Sequence, residues 1–122
     1  MMKANEKELT FLINSIKDRS RGWIEAIAVI SEDGTPLVHN SELEFNPEYV
    51  GAATAAICGA ISAVIELLST KGYKKVDIQL EGGRYLLMRL YKGNYLICLT
   101  RPHPNLGLIN MILEAHLSER GE

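Results

Sequence analysis

Hydrophobic positions along the chain change their repeat several times, and each change marks an element. Leu9, Leu12, Ile13 and Ile16 fall at i, i+3, i+4 and i+7, with Glu6, Glu8, Lys17 and Asp18 on the opposite side. That spacing predicts an amphipathic first helix ending before Ser20-Arg21-Gly22. Trp23 to Ile30 is rich in aliphatic residues at both alternating positions, as expected of a strand covered on both faces. Pro36 to His39 reads as a short second strand. Proline cannot donate to a ladder, so this strand should start at, or lie on, a sheet edge. Asn46-Pro47-Glu48 then has the chemistry of a helix start: an N-cap side chain, a proline suited to the first turn, and a carboxylate at the positive end of the dipole. This long helix is expected to run to about Thr70.

Three strands follow. In Tyr73 to Glu81, Val76, Ile78 and Leu80 alternate with Lys75, Asp77, Gln79 and Glu81, giving one buried and one wet face. Gly82-Gly83 predicts a hairpin turn into Arg84 to Tyr91, and Gly93-Asn94 a second turn into Tyr95 to Thr100. After Arg101-Pro102-His103-Pro104, the residues Leu106, Ile109, Leu113 and Leu117 mark a last amphipathic helix. The order α-β-β-α-β-β-β-α predicts an α/β fold with a five-stranded, mainly antiparallel sheet. The first and fifth strands, apolar on both faces, belong at its centre, and the half-wet third strand at an edge. The expected spatial order is therefore 2-1-5-4-3, with helices on both faces.

Composition narrows the function. At 122 residues the chain has the length of one domain, 1–122, and its net charge of −2 has no concentrated basic face for nucleic acid. The N-terminal M-M-K-A-N-E-K-E-L lacks the apolar core of a signal peptide. Cys58 and Cys98 lie inside apolar runs without metal-ligand spacing, as expected of buried thiols in a reducing, cytoplasmic compartment. Val50 to Leu68 is long enough to cross a bilayer. However, it is dominated by small residues and contains Glu66, so it is read as a soluble helix covered on most faces, with no membrane insertion.

Candidate chemistry is sparse. Glu32 and Asp33 are too few ligands for a calcium loop, and Asp33-Gly34 between apolar runs is a hairpin signal. His103 follows Cys98 in a loop while the cysteine sits in mid-strand, which does not build a nucleophilic pair. Gly82-Gly83 lacks the strand-to-helix setting of a phosphate loop. No catalytic residue, metal set or cofactor site is identified, and the chain is read as a binding protein.

The long helix carries two stripes. Val50, Ile57, Ile61, Val64 and Leu68 are expected to face the sheet. Ala52, Ala56, Gly59, Ala60 and Ala63 form a second, small-residue stripe that permits close approach of another helix. One helix cannot turn both stripes to one sheet, which favours self-association.

The segments R-G-W-I-E-A-I-A-V-I-S-E-D-G-T-P-L-V, P-E-Y-V-G-A-A-T-A-A-I, V-D-I-Q-L-E-G-G-R-Y-L-L-M-R-L and L-I-C-L-T-R-P-H-P-N-L-G-L-I-N-M-I-L, in this order and spacing, resemble the Roadblock family. That family comprises the dynein light chain Roadblock and its bacterial and archaeal relatives. The resemblance covers nearly the whole chain and implies a Roadblock/longin/profilin-like three-layer sandwich. It implies a homodimer in which the third strands (here Val76, Asp77, Ile78 and Gln79) pair and the long helices lie side by side. It further implies a regulatory platform for a Ras-like small GTPase, as activator, localiser or scaffold. Gly51, Ala55, Cys58, Ser62, Glu66 and Ser69, with Glu48, are the candidate partner-binding face. Two other readings are an adaptor holding Roadblock- or longin-type chains in a complex and, less favoured for want of an orienting polar cluster, a small-molecule sensor.

Overall fold

The computed structural model describes residues 5–118. Helix α1 (Glu6–Arg19) begins at a reciprocal cap. The Asn5 side chain accepts from the Glu8 amide at 2.7 Å, and the Glu8 carboxylate accepts from the Asn5 amide at 3.2 Å. Strands β1 (Ile24–Ser31) and β2 (Pro36–Ser41) form a hairpin, followed by helix α2 (Pro47–Leu67). Strand β3 (Lys75–Gln79), a 3₁₀ turn (Glu81–Gly83), β4 (Tyr85–Tyr91), β5 (Asn94–Thr100) and α3 (Leu106–Leu117) complete the order.

The sheet order is β2-β1-β5-β4-β3, with every neighbouring pair antiparallel, as the distribution of apolar positions predicts. Alternation along the strands sorts side chains into two apolar layers. Ile27 and Val29 of β1, Leu87 of β4, and Leu96 and Cys98 of β5 pack with Leu9, Ile13 and Ile16 of α1 and Ile109, Ile112 and Leu113 of α3. Ala28, Ile30, Met88 and Ile97 point the other way and meet Cys58 of α2. The terminal helices thus cover one face and the long helix the other.

Some boundaries differ from the sequence expectation. β2 continues past His39 to Ser41, because its ladder with β1 reaches Ala26 opposite Ser41. Helix α2 stops at Leu67 rather than near Thr70. Ser69 adopts a left-handed backbone (φ 59), and the Thr70 amide closes back on the Ile65 carbonyl at 3.2 Å. Gly82-Gly83 does not form a two-residue hairpin. The residues Glu81–Gly83 make a 3₁₀ turn, closed by a 2.8 Å bond from the Leu80 amide to the Arg84 carbonyl.

One buried carboxylate is fully matched. Glu25, 6% exposed, is bonded by Arg84 and, at 3.0 Å, by Arg101. Arg101 also binds the Gly22 carbonyl at 2.6 Å and the Glu42 carboxylate, which Lys17 holds from α1 at 2.9 Å. A buried charge is tolerated only when it is paired and hydrogen-bonded, so this cluster fixes the β1 start, the β5 end and α1 together.

Candidate partner-binding surface

Helix α2 opens with Asn46, whose side chain accepts from the amides of Glu48 (3.0 Å) and Tyr49 (3.2 Å), and with Pro47 in the first turn. Its first turns press onto the β1–β2 hairpin. Gly34, in a left-handed conformation (φ 94), places its carbonyl oxygen where a Cβ on Gly51 would come within 2.1 Å. Only glycine at 51 allows this approach. Asp33 in the same turn accepts from the Ser31 hydroxyl and from the Thr35 amide at 3.1 Å. These bonds, the Ser31 hydroxyl first, hold its carboxyl below the usual range. Asp33 is therefore accounted for by the turn.

The close approach determines which side of α2 meets the sheet. The buried residues are Gly51, Thr54 and Cys58, with Ala55, Ile61 and Ile65 half-buried beside them. Thr54 satisfies its hydroxyl locally by donating to the Val50 carbonyl at 2.7 Å. Of the stripe expected to face the sheet, Val50 and Ile61 are half-buried, with Val50 packed on the layer of Cys58, whereas the expectation is corrected for Ile57, Val64 and Leu68. Val64 is 54% and Leu68 70% exposed, and Ile57 also faces outward. Small residues lie underneath because the helix backbone sits too near the hairpin for large ones. Within the single chain α2 is covered only along its Gly51, Thr54 and Cys58 side. Only 17% of its most apolar stretch is buried, although the helix is long and apolar enough to cross a membrane.

The same rotation corrects part of the candidate partner-binding face. Gly51 and Cys58 are buried against the hairpin and the sheet and so unavailable to an outside partner, and Ala55 is half-buried. Glu48, Ser62, Glu66 and Ser69 are exposed. Cys58 instead packs near Tyr73, whose hydroxyl is pushed well above its usual range by burial first and then by the Cys58 thiol. The small-residue stripe Ala52, Ala56, Gly59, Ala60 and Ala63 is exposed throughout, and the space above Gly59 is open. Leu67, 84% exposed, extends this apolar surface beyond what the small-residue stripe alone suggested. The signal was present in the sequence as the apolar continuation Val64-Ile65-Glu66-Leu67-Leu68, but its orientation was not.

Strand β3 lies at the sheet edge beside β4 alone. Val76 and Ile78 are half-buried, and Val76 packs into the layer that holds Cys58 and Met88. Lys75, Asp77 and Gln79 are exposed and alternate with them. Asp77 accepts from Arg89 of β4 at 2.6 Å, and the same guanidinium donates to Asn110 of α3 at 2.9 Å. The expected interface residues thus occur on the outer side of α2 and on the edge strand β3.

No family model and no curated protein matches the sequence. Solved structures do match in shape. MglB from Myxococcus xanthus superposes with a TM-score of 0.85 at 11% identity, over 98% of this chain and 89% of that one. An MglB described with a tetrameric arrangement gives 0.80 at 14% identity, over 97% and 88%. The Roadblock/LC7 domain from Streptomyces avermitilis gives 0.74 at 14% identity, over 88% and 89%. The chain has the Roadblock fold. In this fold β3 is an edge strand and the outer side of α2 is uncovered within the chain.

Proposed function

We propose that the chain acts as a homodimeric Roadblock-type platform that binds and regulates a Ras-like small GTPase, without catalytic residues of its own. The observation that carries this reading is the outer face of α2. Ile57, Val64, Leu67 and Leu68 project from a helix that also exposes an alanine-glycine stripe. Monomeric soluble proteins rarely leave a contiguous apolar surface of this kind without a partner. A two-fold pairing through α2 and β3 covers it and removes the open edge in a closed assembly. The GTPase part rests on the sequence resemblance together with the shared fold. The exposed Glu48, Ser62, Glu66 and Ser69 remain the polar positions available for contact.

An adaptor role, with the chain holding other Roadblock-type subunits, is the second reading. It draws support from the tetrameric arrangement described for one MglB of the same fold. Light scattering tests the first step: a dimer is expected, and a monomer at micromolar concentration overturns it. Capture from the native lysate with GDP or a GTP analogue tests the second. Recovery of a nucleotide-dependent GTPase supports the regulator, and recovery only of adaptor chains overturns it in favour of the scaffold. Flotation with lipid vesicles examines the remaining fate of an apolar helix, and co-flotation of the protein contradicts the platform reading.

A further inference from the structure

The edge of β3 specifies how two copies can pair, and this inference rests on the self-association reading above. The Leu90 amide donates to the Lys74 carbonyl at 3.4 Å and the Leu80 amide to the Arg84 carbonyl at 2.8 Å. Together with the register Val76 opposite Met88 and Ile78 opposite Leu86, these bonds turn the main chain of the even-numbered residues towards β4. The main-chain groups of Lys75, Asp77 and Gln79 therefore point to the open edge.

A two-fold axis perpendicular to the sheet, which keeps both α2 helices on one face, carries each residue to the same face in the second copy. Directly opposed residues on antiparallel strands also share a face. Opposed residue numbers must then add to an even sum, so one residue always meets its own copy. An axis through Asp77 pairs Asp77 with itself and Lys75 with Gln79, and every outward-pointing residue of the strand finds a partner within the strand. An axis through Val76 or Ile78 leaves Gln79 or Lys75 without one.

The favoured register has an electrostatic cost. It sets two Asp77 carboxylates side by side on the face of α1 and α3, with Cα atoms about 5.5 Å apart, where like charges repel. Each copy already holds the neutralising group. The Arg89 guanidinium lies 2.6 Å from the Asp77 carboxylate and is fixed by the Met88 carbonyl at 2.8 Å and by Asn110 at 2.9 Å. The Arg89 side chain is 11% and the Asp77 side chain 35% exposed, so the guanidinium is held in place by protein while the carboxylate stays accessible at the edge. Lys75 of one copy lies diagonal to Asp77 of the other and adds positive charge. We propose that β3 self-pairs in the register that brings Asp77 against its own copy, with Arg89 as the positioning residue that makes this register tolerable.

Cysteine cross-linking of the full chain reads the register directly. Only the self-opposed residue has Cα atoms within the span of a disulfide, about 4.4–6.8 Å. Asp77→Cys is expected to give a covalent dimer under mild oxidation, and Val76→Cys and Ile78→Cys little. Cys58 and Cys98 are buried and do not compete. Equal or greater cross-linking at 76 or 78 overturns the register. Arg89→Met is expected to weaken association about tenfold, by the repulsion of opposed like charges. Adding Asp77→Asn to that variant should restore it, which a merely structural role for Arg89 does not predict. Failure of restoration overturns the role of Arg89, and cross-linking tests the register independently if Arg89→Met unfolds. A wild-type monomer removes self-association itself, whereas a wild-type dimer cross-linking elsewhere removes only this register.

Discussion

The Gly34 carbonyl oxygen faces the Cα of Gly51 so closely that a methyl group at position 51 would lie 2.1 Å from it. This contact joins the β1–β2 hairpin to the first turns of α2 and sets the rotation of the whole helix. Gly51→Ala gains about 1 kcal/mol in helix propensity but forces hairpin and helix apart. Overpacking of this kind costs about 1–3 kcal/mol, so net destabilisation is expected. A thermal melt should show a lowered Tm, whereas Gly59→Ala, with open space around it, should be neutral or stabilising. An unchanged Tm for Gly51→Ala contradicts the close approach.

Arg101 serves three acceptors at once: the Gly22 carbonyl, Glu25 and Glu42. Arg101→Ala leaves the buried Glu25 with Arg84 alone and is expected to cost about 1–3 kcal/mol. Denaturant unfolding checks this, and Lys17→Ala, which removes one more exposed pair with Glu42, should cost under about 1 kcal/mol. Equal losses for the two variants rule out a special role for the buried carboxylate.

The outer face of α2 and the core beneath α1 should respond oppositely to substitution. Val64→Asp and Ala60→Glu place charge on the outward face and are expected to abolish association while changing monomer stability by under about 1 kcal/mol. Ile13→Ala, in the layer between α1 and the sheet, is expected to cost about 2–5 kcal/mol. Size-exclusion chromatography with denaturant unfolding separates the two effects. Association that survives Val64→Asp excludes this face as the contact.

Burial pushes the Cys98 thiol from 9.0 up to about 12. The folded state therefore keeps its proton while the unfolded chain loses it. The stabilisation from this thiol is complete below pH 9 and declines as pH rises from about 9 towards 12. In that window Cys98 contributes a fall of about 1.4 kcal/mol per pH unit. Wild-type stability minus that of Cys98→Ala should shrink by this slope between pH 9 and pH 11. The native thiol should also resist alkylation at pH 8, and rapid labelling without unfolding contradicts its burial.

Much of the architecture was determined by the sequence alone. In strands, a repeat of two residues assigns each side chain to a face, and the number of apolar faces ranks a strand as central or outer. Trp23 to Ile30 and Tyr95 to Thr100 are apolar on both faces, Tyr73 to Glu81 on one, and this was enough to place β1 and β5 inside and β3 at the edge. The amphipathic repeat in α1 likewise named Leu9, Ile13 and Ile16, which are buried. Tertiary structure decided the rotation of α2. A helix with apolar side chains nearly all round has no single favoured face, so its periodicity could not distinguish Val64 from Cys58. That choice came from Gly34 and Gly51, residues distant in sequence whose lack of side chains lets two backbones touch. Hydrophobic patterning is local and readable, whereas a close packing contact depends on where the rest of the chain has brought its partner.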